Sequence, residues 1–567
     1  MQSFIQYRNI GRMVRKQVGR DREKAIIPSS QLHDALELEV PAQIHHATGS
    51  SSSTTSEADD TAMESEQNDY ITTVQTHHSL RTVLGHALAG IHPRERTTHE
   101  GKGGKVFVVS WESEKDPSNP RNWSIAYRVW MTTIVGSIAF VVGAASSADT
   151  AVLPQAAEDF GVSQVVESMT IGLYLAGYAV GAVFAGPFSE TFGRNAVYIS
   201  TMVIFMIFIM AAALAPNIGA QLAFRFLAGA FGATPLTCAG GSISDMWPSL
   251  EKTFAFPTFA LIGFTGPVLG PVIGSYVINI GSWRWTEWII LIISALVLGL
   301  IILFQAETYP PLLLMWKAKH LRLETGDDRY RAEMEIIQTT LWTRLKIAMI
   351  RPLSLALEPI VVFMTLYLTV IYIVLFTFLD GYPFIFQDVY GISQGLTNVI
   401  FTGLAVGMLL VSALVPWVYK TTKESFAKNE FVPEARLWFA MFGAPAIPIS
   451  LFWMAWTDFA SISIWSPIIA SVPLGFGMLC IFMTAYMYII DSYEIYAASA
   501  LTFATFTRYM AAGGMTIVGI PFYKNLGPHW TLTILGGINV LMTPIPYVFY
   551  RYGHKVRQRS KNAVSWT

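Results

Sequence analysis

The sequence predicts an all-α membrane protein with twelve transmembrane helices in two sets of six. Its 567 residues are 52% hydrophobic and only 14% charged, whereas soluble domains carry about 25% charged residues. Twelve apolar runs recur along the chain. Each run has about 20 residues and is long enough to cross a bilayer as a helix.

The first 124 residues are predicted to be a disordered cytosolic tail. They are polar, and the Ser/Thr run from Gly49 to Asp60 cannot bury enough apolar surface to fold alone. Within this tail, residues 1–20 alternate basic and apolar side chains and contain no acid. Such a run suits either a mitochondrial presequence or a basic segment that rests on the anionic inner leaflet, and we favour the second.

The apolar runs fall into two halves. The first half, residues 125–305, has runs near 129–152, 164–185, 196–214, 218–243, 254–278 and 288–304. A charged cytosolic loop is predicted over residues 306–354. The second half, residues 355–550, has runs near 360–379, 395–418, 437–456, 465–487, 497–520 and 530–550, and a polar cytosolic tail follows over residues 551–567.

Lys and Arg residues indicate the orientation of these helices. The connector, the loop between the eighth and ninth runs and the carboxyl-terminal tail are rich in basic residues, and all three lie on the side of the amino terminus. The opposite loops offer only Arg284 and Lys524. The positive-inside rule therefore predicts that both termini lie in the cytosol.

A short charged segment between the second and third runs lies at the membrane surface. Its sequence is Gly186-Pro-Phe-Ser-Glu190-Thr-Phe-Gly193-Arg194. Glu190 and Arg194 are four residues apart, so they pair if one helix contains both. Gly186 and Gly193 let the backbone turn sharply and let a neighbouring helix come close.

The pattern Gly-x-x-x-Glu-x-x-Gly-Arg resembles the loop 2–3 signature of the major facilitator superfamily, where the acid is usually Asp. Together with Asp-Pro-x-Asn-Pro-x-Asn-Trp-Ser before the first run, it resembles the fungal twelve-spanning drug:proton antiporter branch. The resemblance implies the major facilitator fold, with two six-helix halves around a central cavity. It also implies that Glu190, Arg194 and Asp245 form a cytosolic gate; the alternative is a solvated surface ion cluster.

Charged residues inside apolar runs are costly, by about 2.5–3.5 kcal/mol each on insertion scales, so each is a functional candidate. Asp149 lies near the outer end of the first run, and Arg225 lies in the fourth run at a comparable depth. Phe-Arg225-Phe-Leu-Ala-Gly229 resembles the fourth-helix signature of the family. The resemblance implies that Arg225 faces the central cavity, where it can meet Asp149.

We hypothesise that Asp149 binds the coupling proton and trades it against Arg225 and the substrate. The alternative is a hydrated, structural Asp149 at the outer interface. Arg508, near the middle of the eleventh run, has no identifiable partner and is a candidate for the substrate site. Glu287 stands where the family usually has an aromatic residue and adds an acid near the outer vestibule.

The fifth run carries glycines at close to four-residue spacing and two Gly-Pro steps. Bare backbone at this spacing lets another helix pack closely or rock against this one, and each proline kinks the helix by removing a hydrogen bond. The pattern resembles the fifth-helix signature of drug:proton exporters, which favours export over uptake. Its residues are Gly263, Gly266, Pro267, Gly270, Pro271 and Gly274.

Aromatic residues make up 13% of the chain and include Tyr174, Tyr178 and Tyr372 in apolar runs. We expect these three to line the substrate cavity. Aromatic rings there would suit flat, apolar or cationic substrates through stacking and cation–π contact.

Composition argues against several other function classes. The formal net charge of −1 gives no reason to expect a nucleic-acid partner. Both cysteines lie inside apolar runs, and all 11 histidines lie outside them. We therefore expect no metal site, no enzyme activity and no cofactor, with the proton gradient as the energy source.

The sequence thus predicts a proton-coupled exporter of a small amphipathic molecule: a drug, a toxin, a polyamine-like cation or a fungal secondary metabolite. One alternative is an organic-acid carrier in which Arg225 and Arg508 bind the anion. Another is a non-transporting nutrient sensor on the same fold. We expect a monomer in the plasma membrane, or alternatively in the vacuolar membrane, whose partners are the substrate, protons and lipids.

Overall fold

The computed structural model describes residues 1–26, 91–96, 104–277, 281–336, 340–427, 433–493 and 496–563. Its contacts divide the chain into two compact units. We call Met1–Ser3, Trp123–Tyr309 and Thr339–Thr567 the membrane unit. Phe4–Asn122 and Pro310–Gln338 form the small unit.

The chain up to the connector contains eight helices and two strands among its described residues. In order they are α1 (Gln2–Ile26), β1 (Ile91–Arg96), β2 (Gly104–Val109), α2 (Ile125–Ser147), α3 (Leu153–Phe160), α4 (Gln164–Phe192), α5 (Arg194–Ala213), α6 (Ile218–Met246), α7 (Lys252–Val277) and α8 (Trp285–Phe304).

The connector and the second half contribute the remaining elements. They are α9 (Pro310–Thr325), β3 (Tyr330–Arg331), α10 (Glu333–Ile336), α11 (Leu341–Leu355), α12 (Pro359–Tyr382), α13 (Asp388–Tyr390), α14 (Gln394–Val399), α15 (Thr402–Leu410), α16 (Val415–Ala427), α17 (Trp438–Gly443), α18 (Ala446–Thr457), α19 (Trp465–Tyr493), α20 (Ala497–Met542) and α21 (Pro544–Arg559). A π-helical turn, Pro383–Gln387, joins α12 to α13.

Eleven helical segments of the described residues are long and apolar enough to cross a membrane. The last of them, Ala497–Arg559, has 63 residues, and at about 1.5 Å per residue it is far longer than one crossing requires. It is broken at Gly527, whose φ of 74° and ψ of 165° are not helical. Division at this glycine separates the eleventh and twelfth predicted runs, so the chain is an all-α, multi-pass membrane protein.

The first span differs from the predicted run 129–152. Ser124 caps α2 by accepting the backbone N–H of Tyr127, and the helix therefore begins at Ile125. α2 ends at Ser147, and a 3₁₀ turn over Ala148–Val152 leads into α3. Asp149 consequently lies in a break between two helices, where a side chain can leave the regular helical direction.

Glycines set the closest helix contacts of the first half. A Cβ atom on Gly177 of α4 would lie 2.0 Å from the carbonyl oxygen of Phe226, and one on Gly229 of α6 would lie 2.0 Å from that of Tyr174. Since real Cβ atoms do not approach a backbone so closely, α4 and α6 pack with their backbones in direct contact. This contact fixes Arg225 of α6 beside the outer part of α4. We call the end of the membrane unit that carries Gly193 the cytosolic end, following the predicted orientation, and the opposite end the outer end.

The small unit has a hydrophobic core of its own. β1 pairs antiparallel with β2, and β2 pairs parallel with β3. One face of α1, at four-residue spacing, packs against α9 and the strands. The core consists of Ile10, Val14, Val18, Phe107, Val109, Leu313, Ala318, Leu321, Tyr330 and Ala332.

The prediction of a disordered tail is therefore wrong for the described part of residues 1–124. That segment cannot fill a core alone, but residues 310–332 of the connector supply the missing apolar surface. The predicted loop over residues 306–354 is likewise largely helical, with α9 and α10 in the small unit and α11 in the membrane unit. The run from Gly49 to Asp60 lies outside the described residues.

Candidate functional site

Arg225 is the centre of a buried ion cluster at the outer end of the first half. Its Nη2 contacts Asp149 Oδ2 and lies 2.8 Å from Oε1 of Glu287, which belongs to α8. Its Nη1 donates a hydrogen bond to the carbonyl oxygen of Ala145 at 2.8 Å. All three ionisable side chains are at most 2% exposed. Because the cluster pairs two carboxyls with one guanidinium, one carboxyl can take up a proton and leave a neutral ion pair.

A third buried carboxyl lies at the same end. Glu167, in the first turn of α4, accepts a hydrogen bond from Gln221 Nε2 at 3.2 Å. Glu287 also lies in the first turn of its helix, where unpaired N–H groups favour negative charge. The sequence analysis did not select Glu167, because an acid at the edge of an apolar run looks like an ordinary end of a helix.

The predicted meeting of Asp149 and Arg225 is present in the structure. The alternative, a hydrated Asp149 at the outer interface, is wrong because the side chain is buried and paired. In this conformation Arg225 lies in the ion cluster, and the expectation that it faces the central cavity stays a prediction. Asp149 and Glu287 draw the guanidinium into the ion cluster, and Arg225 does not belong to the described lining of that cavity.

A narrow central cavity lies between the two halves. Its lining includes Ser146 of α2, Tyr178 of α4, Tyr372 of α12 and Tyr509 of α20. The space within it, about 30 Å³, has room for about two water molecules. The rings of Tyr178 and Tyr509, one from each half, approach to 4.3 Å between centroids. The cavity is therefore occluded in this conformation.

The predicted cavity tyrosines divide into two groups. Tyr178 and Tyr372 line the cavity as expected. Tyr174 does not: its hydroxyl donates to the carbonyl oxygen of Val142 at 2.9 Å, and its ring lies 5.7 Å from Arg225 Cζ. Tyr174 therefore braces the ion cluster against α2.

Arg508 lies behind the aromatic lining of the cavity. It is fully buried in α20, and its Nε, Nη1 and Nη2 donate no hydrogen bond to the described residues. Its Cζ lies 4.6 Å from the ring centroid of Tyr372 and 4.9 Å from that of Tyr509. Phe482 and Tyr486 complete the ring contacts at 5.4 and 5.2 Å.

The glycine-rich face of α7 packs on α2. A Cβ atom on Gly266, Gly270 or Gly274 would lie 2.3 to 2.5 Å from an atom of α2 or of the turn that follows it. Gly263 is less crowded, since its nearest neighbour, the Ala139 Cβ, would lie 3.3 Å away.

The prolines of α7 explain the polar contact to α2. Pro271 has no N–H, so it cannot bond the carbonyl oxygen of Pro267 four residues earlier. Ser147 Oγ donates to that carbonyl oxygen at 2.7 Å. Ser147, two residues before Asp149, thus supplies the hydrogen bond that the kink of α7 removes from the Pro267 carbonyl oxygen.

The cytosolic end carries the predicted gate. Gly193 separates α4 from α5 with φ 93° and ψ 162°, so the sharp turn predicted there is confirmed. Arg194 Nε lies 3.3 Å from Asp245 Oδ2, and Arg194 Nη1 donates to Ser189 Oγ. Arg194 is 7% exposed. The Arg194–Asp245 contact is therefore largely buried and differs from a solvated surface pair.

Glu190 and Gly186 lie differently from expectation. Gly193 breaks the helix between Glu190 and Arg194, and among the described residues the salt bridge of Arg194 is with Asp245. The backbone carbonyl of Glu190 instead accepts a hydrogen bond from Arg344 Nη1 at 3.0 Å. Gly186 lies inside α4 with nothing within 4 Å of the position of a Cβ atom, so it provides neither a turn nor a close approach. All the gate residues except Gly193 line a cytosolic vestibule of about 510 Å³.

Glu307 holds the start of α5 in place, a role that the sequence did not reveal. Its Oε1 accepts the N–H of Arg194 at 3.0 Å, and its Oε2 accepts that of Asn195 at 3.1 Å. Oε1 also accepts the N–H of Tyr309 at 2.9 Å. Burial raises the pKa of Glu307, although the backbone N–H groups and the nearby Arg194 oppose this effect.

Two further buried acids lie towards the outer end of the second half. Asp380, next to the π-helical turn, is 5% exposed, and neither of its carboxyl oxygens accepts a hydrogen bond from the described residues. Asp458 follows α18 and is similarly without a described hydrogen bond. Burial raises the pKa of Asp458 to about 7. Asp380 lies one residue beyond the predicted seventh run, and the hydropathy boundary therefore hid it.

Contacts join the halves at both ends of the membrane unit. At the outer end, Gln155 Nε2 lies 3.2 Å from Gln394 Oε1. At the cytosolic end, Arg436 Nη2 donates to the carbonyl oxygen of Ser249 at 2.7 Å, while Arg436 Nε bonds Asp491 at 2.7 Å. The central cavity is occluded in this conformation, and a vestibule of about 510 Å³ lies on its cytosolic side.

Comparison with known proteins agrees with this architecture. The family model described as Major Facilitator Superfamily matches residues 135–516. The chain is 53% identical over 466 residues to the MFS-type transporter kojT of Aspergillus flavus, covering 80% of this chain and 82% of that protein. It is 35% identical over 462 residues to the cercosporin MFS transporter CTB4 of Cercospora nicotianae, covering 80% and 90%.

Solved structures show the same fold. The proton:xylose symporter XylE aligns with a TM-score of 0.57 at 13% identity, over 76% of this chain and 96% of that one. The human organic anion transporter MFSD10 aligns with a TM-score of 0.53 at 14% identity, over 75% and 100%. With the two halves, the matching family model and these relatives established, the chain belongs to the major facilitator superfamily.

Proposed function

We propose that this transporter exports a small amphipathic molecule of the secondary-metabolite class in exchange for protons, by rocking its two halves around the central cavity. The observation that carries the proposal is the pairing of Arg225 with two buried carboxyls, Asp149 and Glu287. When Asp149 is protonated and neutral, Arg225 keeps its ion pair with Glu287 alone. Proton binding therefore changes which contacts hold α2, α6 and α8 together.

Two further features support export. α7 packs its bare glycine face on α2 immediately before the turn that carries Asp149, so a change in the cluster bears directly on the helix contact that must move. The name of one relative, the cercosporin MFS transporter, supports a fungal metabolite as substrate. The basic loops support an orientation with both termini in the cytosol. We propose the plasma membrane as the location because an exporter acts there.

The test is transport in proteoliposomes under an imposed pH gradient. The probes are cercosporin, rhodamine 6G and benzoate, which are respectively a fungal metabolite, a cationic dye and a small organic anion. We expect uphill transport of at least one probe that follows the gradient in the native protein. Asp149→Asn should abolish the gradient dependence while substrate exchange continues.

Asp159→Asn serves as the matched control, because Asp159 is half-exposed and pairs with Arg284 outside the buried cluster. It should retain coupling. The proposal fails if transport ignores the gradient in the native protein, or if Asp149→Asn and Asp159→Asn behave alike.

A further inference from the structure

Arg508 is a buried cation that the coupling mechanism leaves unused. Its three guanidinium nitrogens donate no hydrogen bond to the described residues, although each is shielded from solvent. Burying an unpaired ion costs several kcal/mol, and proteins normally offset this cost with a carboxylate and several hydrogen bonds. A buried arginine that lacks these partners in the middle of a transporter therefore indicates that a ligand supplies the missing negative charge.

The four surrounding rings offset only part of that cost. Cation–π contacts contribute about 0.5–2 kcal/mol, and the ring faces carry no net charge. Arg508 therefore keeps its full positive charge at the cavity. Its fork of N–H donors pairs with no carboxylate of the described residues and has the geometry to bind one in two-point fashion.

We call the four rings around Arg508, those of Tyr372, Phe482, Tyr486 and Tyr509, its aromatic cage. This cage belongs to the transport pathway. Three of its four rings, those of Tyr372, Phe482 and Tyr509, also line the central cavity. Tyr509 packs against Tyr178 from the other half. When the halves move apart, this ring pair must separate.

Arg225 cannot take the same role. Asp149 and Glu287 already neutralise it within the buried ion cluster. Of the two arginines proposed for an organic-acid carrier, only Arg508 has charge to spare for an anion. The same charge repels a cationic substrate, so the cavity selects against polyamine-like molecules.

We propose that Arg508 binds the negatively charged group of the substrate, a carboxylate or an ionised ring hydroxyl, while the flat ring that bears this group stacks among Tyr178, Tyr372 and Tyr509. This inference rests on the proposed transport function and names its substrate class. The rest of the lining near these rings is apolar, including Phe264, Leu375 and Phe376. A compact aromatic acid fits this combination of one cation and many rings.

The test compares three molecules of nearly equal shape: benzoate, benzyl alcohol and benzylamine. Calorimetry on the full-length protein in nanodiscs, at pH 7.5 and without a gradient, gives their affinities. We expect benzoate to bind at least tenfold more tightly than the other two. Arg508→Gln should weaken benzoate binding at least tenfold and leave the affinity for benzyl alcohol unchanged. Arg508→Lys should weaken benzoate binding less than Arg508→Gln does.

Arg551→Gln is the matched control, since Arg551 is an exposed arginine close to Tyr552. It should change none of the three affinities. The unfolding temperature without ligand provides a second measurement. Because Arg508→Gln removes an unpaired buried charge, that temperature should stay the same or rise.

Equal or absent binding of the three molecules, or a preference for benzylamine, overturns the proposal. So does an Arg508→Gln protein that unfolds earlier and weakens all three ligands alike, because Arg508 would then be a structural residue held by its rings. The assay uses no gradient, so this failure is distinct from a loss of proton coupling, which the Asp149→Asn experiment reports.

Discussion

Arg225 provides the positive charge for two carboxyls in a part of the protein that excludes water. Removing it would leave Asp149 and Glu287 buried without their cation, whereas removing Glu287 would leave the Arg225–Asp149 pair intact. Breaking a buried ion pair by removing one partner costs about 3–5 kcal/mol. We therefore expect Arg225→Gln to destabilise the fold by roughly this amount, and Glu287→Gln to destabilise it far less.

Thermal unfolding in detergent, followed with a thiol-reactive fluorophore, measures this difference. Cys238 and Cys480 are both buried and free, so they report the loss of structure. Arg225→Lys should recover part of the stability because it restores the charge but not the forked geometry. Equal destabilisation by Arg225→Gln and Glu287→Gln would contradict the pairing described above.

At this scale the sequence located the charges better than their partners. Asp149, Arg225 and Arg508 were predicted because a charge inside an apolar run is conspicuous. Glu167 and Asp380 escaped because they lie at the edges of runs, where hydropathy cannot distinguish a buried acid from a hydrated one. Which ring or carboxyl faces a given arginine depends on helix rotation, and periodicity does not determine this rotation in helices that are apolar all round.

Helix contacts through glycine make sharp predictions at the scale of elements. Gly266 and Gly263 lie one turn apart on α7, but a Cβ atom would lie 2.3 Å from the Phe140 carbonyl oxygen at Gly266 and 3.3 Å from the Ala139 side chain at Gly263. Gly266→Ala must push α7 away from α2, because a backbone atom cannot move aside. We expect it to lower the transport rate at least tenfold.

Gly263→Ala should keep most of the activity, since a small side-chain shift accommodates the added methyl group. Transport in proteoliposomes at equal protein density compares the two variants. If both are equally active, the close packing of α7 on α2 does not matter for the transport cycle.

We predict that Asp458 makes the stability of the protein depend on pH. Its pKa is raised to about 7 in the folded protein by burial, against an ordinary value of 3.8. The proton on a group whose folded pKa is raised stabilises the fold fully below the unfolded pKa, and this contribution is lost as pH rises through the folded pKa. The window therefore runs from about pH 4 to about pH 7.

Asp458→Asn removes this titration. The unfolding midpoint of the variant, measured relative to that of the native protein, should consequently rise from about pH 4 to about pH 7 and then level off. Asp388→Asn is a control on an exposed acid in the same half and should follow the native protein. A constant difference across this range would show that Asp458 does not titrate there.

Element boundaries also show what hydropathy alone could predict. Eleven described spans cover the twelve predicted runs, because each run is long and apolar. The small unit was missed, since its core combines α1, the strands and α9 from distant parts of the chain. The turn before α5 could be predicted from Gly193. The Glu307 carboxyl that caps α5 could not, because it lies more than a hundred residues away in the sequence and no motif marks it.

For the whole molecule, the two halves are closed towards the outer end. There α4 and α20 touch through bare backbone: a Cβ atom on Gly513 would lie 2.7 Å from the carbonyl oxygen of Gly172. Gly514, the next residue, has nothing within 4 Å of its Cβ position. The family architecture was predictable because it follows from run lengths and loop charges, whereas the conformational state depends on such single contacts.

Gly513→Ala should therefore separate the halves at the outer end, and Gly514→Ala should not. Gln394 reports this opening because its side chain contacts both Gln155 and the Ala151 carbonyl oxygen across the closed end. In the Gly513→Ala background, we expect a membrane-impermeant maleimide to label Gln394→Cys several-fold faster from outside intact cells than in the Gly514→Ala background. If the halves rock about the central cavity, the cytosolic vestibule must narrow as the outer end opens. Thr502 lines that vestibule. A cysteine placed there by Thr502→Cys should then react more slowly with the maleimide in inside-out vesicles. Faster labelling at both ends would show that the added methyl group loosens the bundle without rocking its halves.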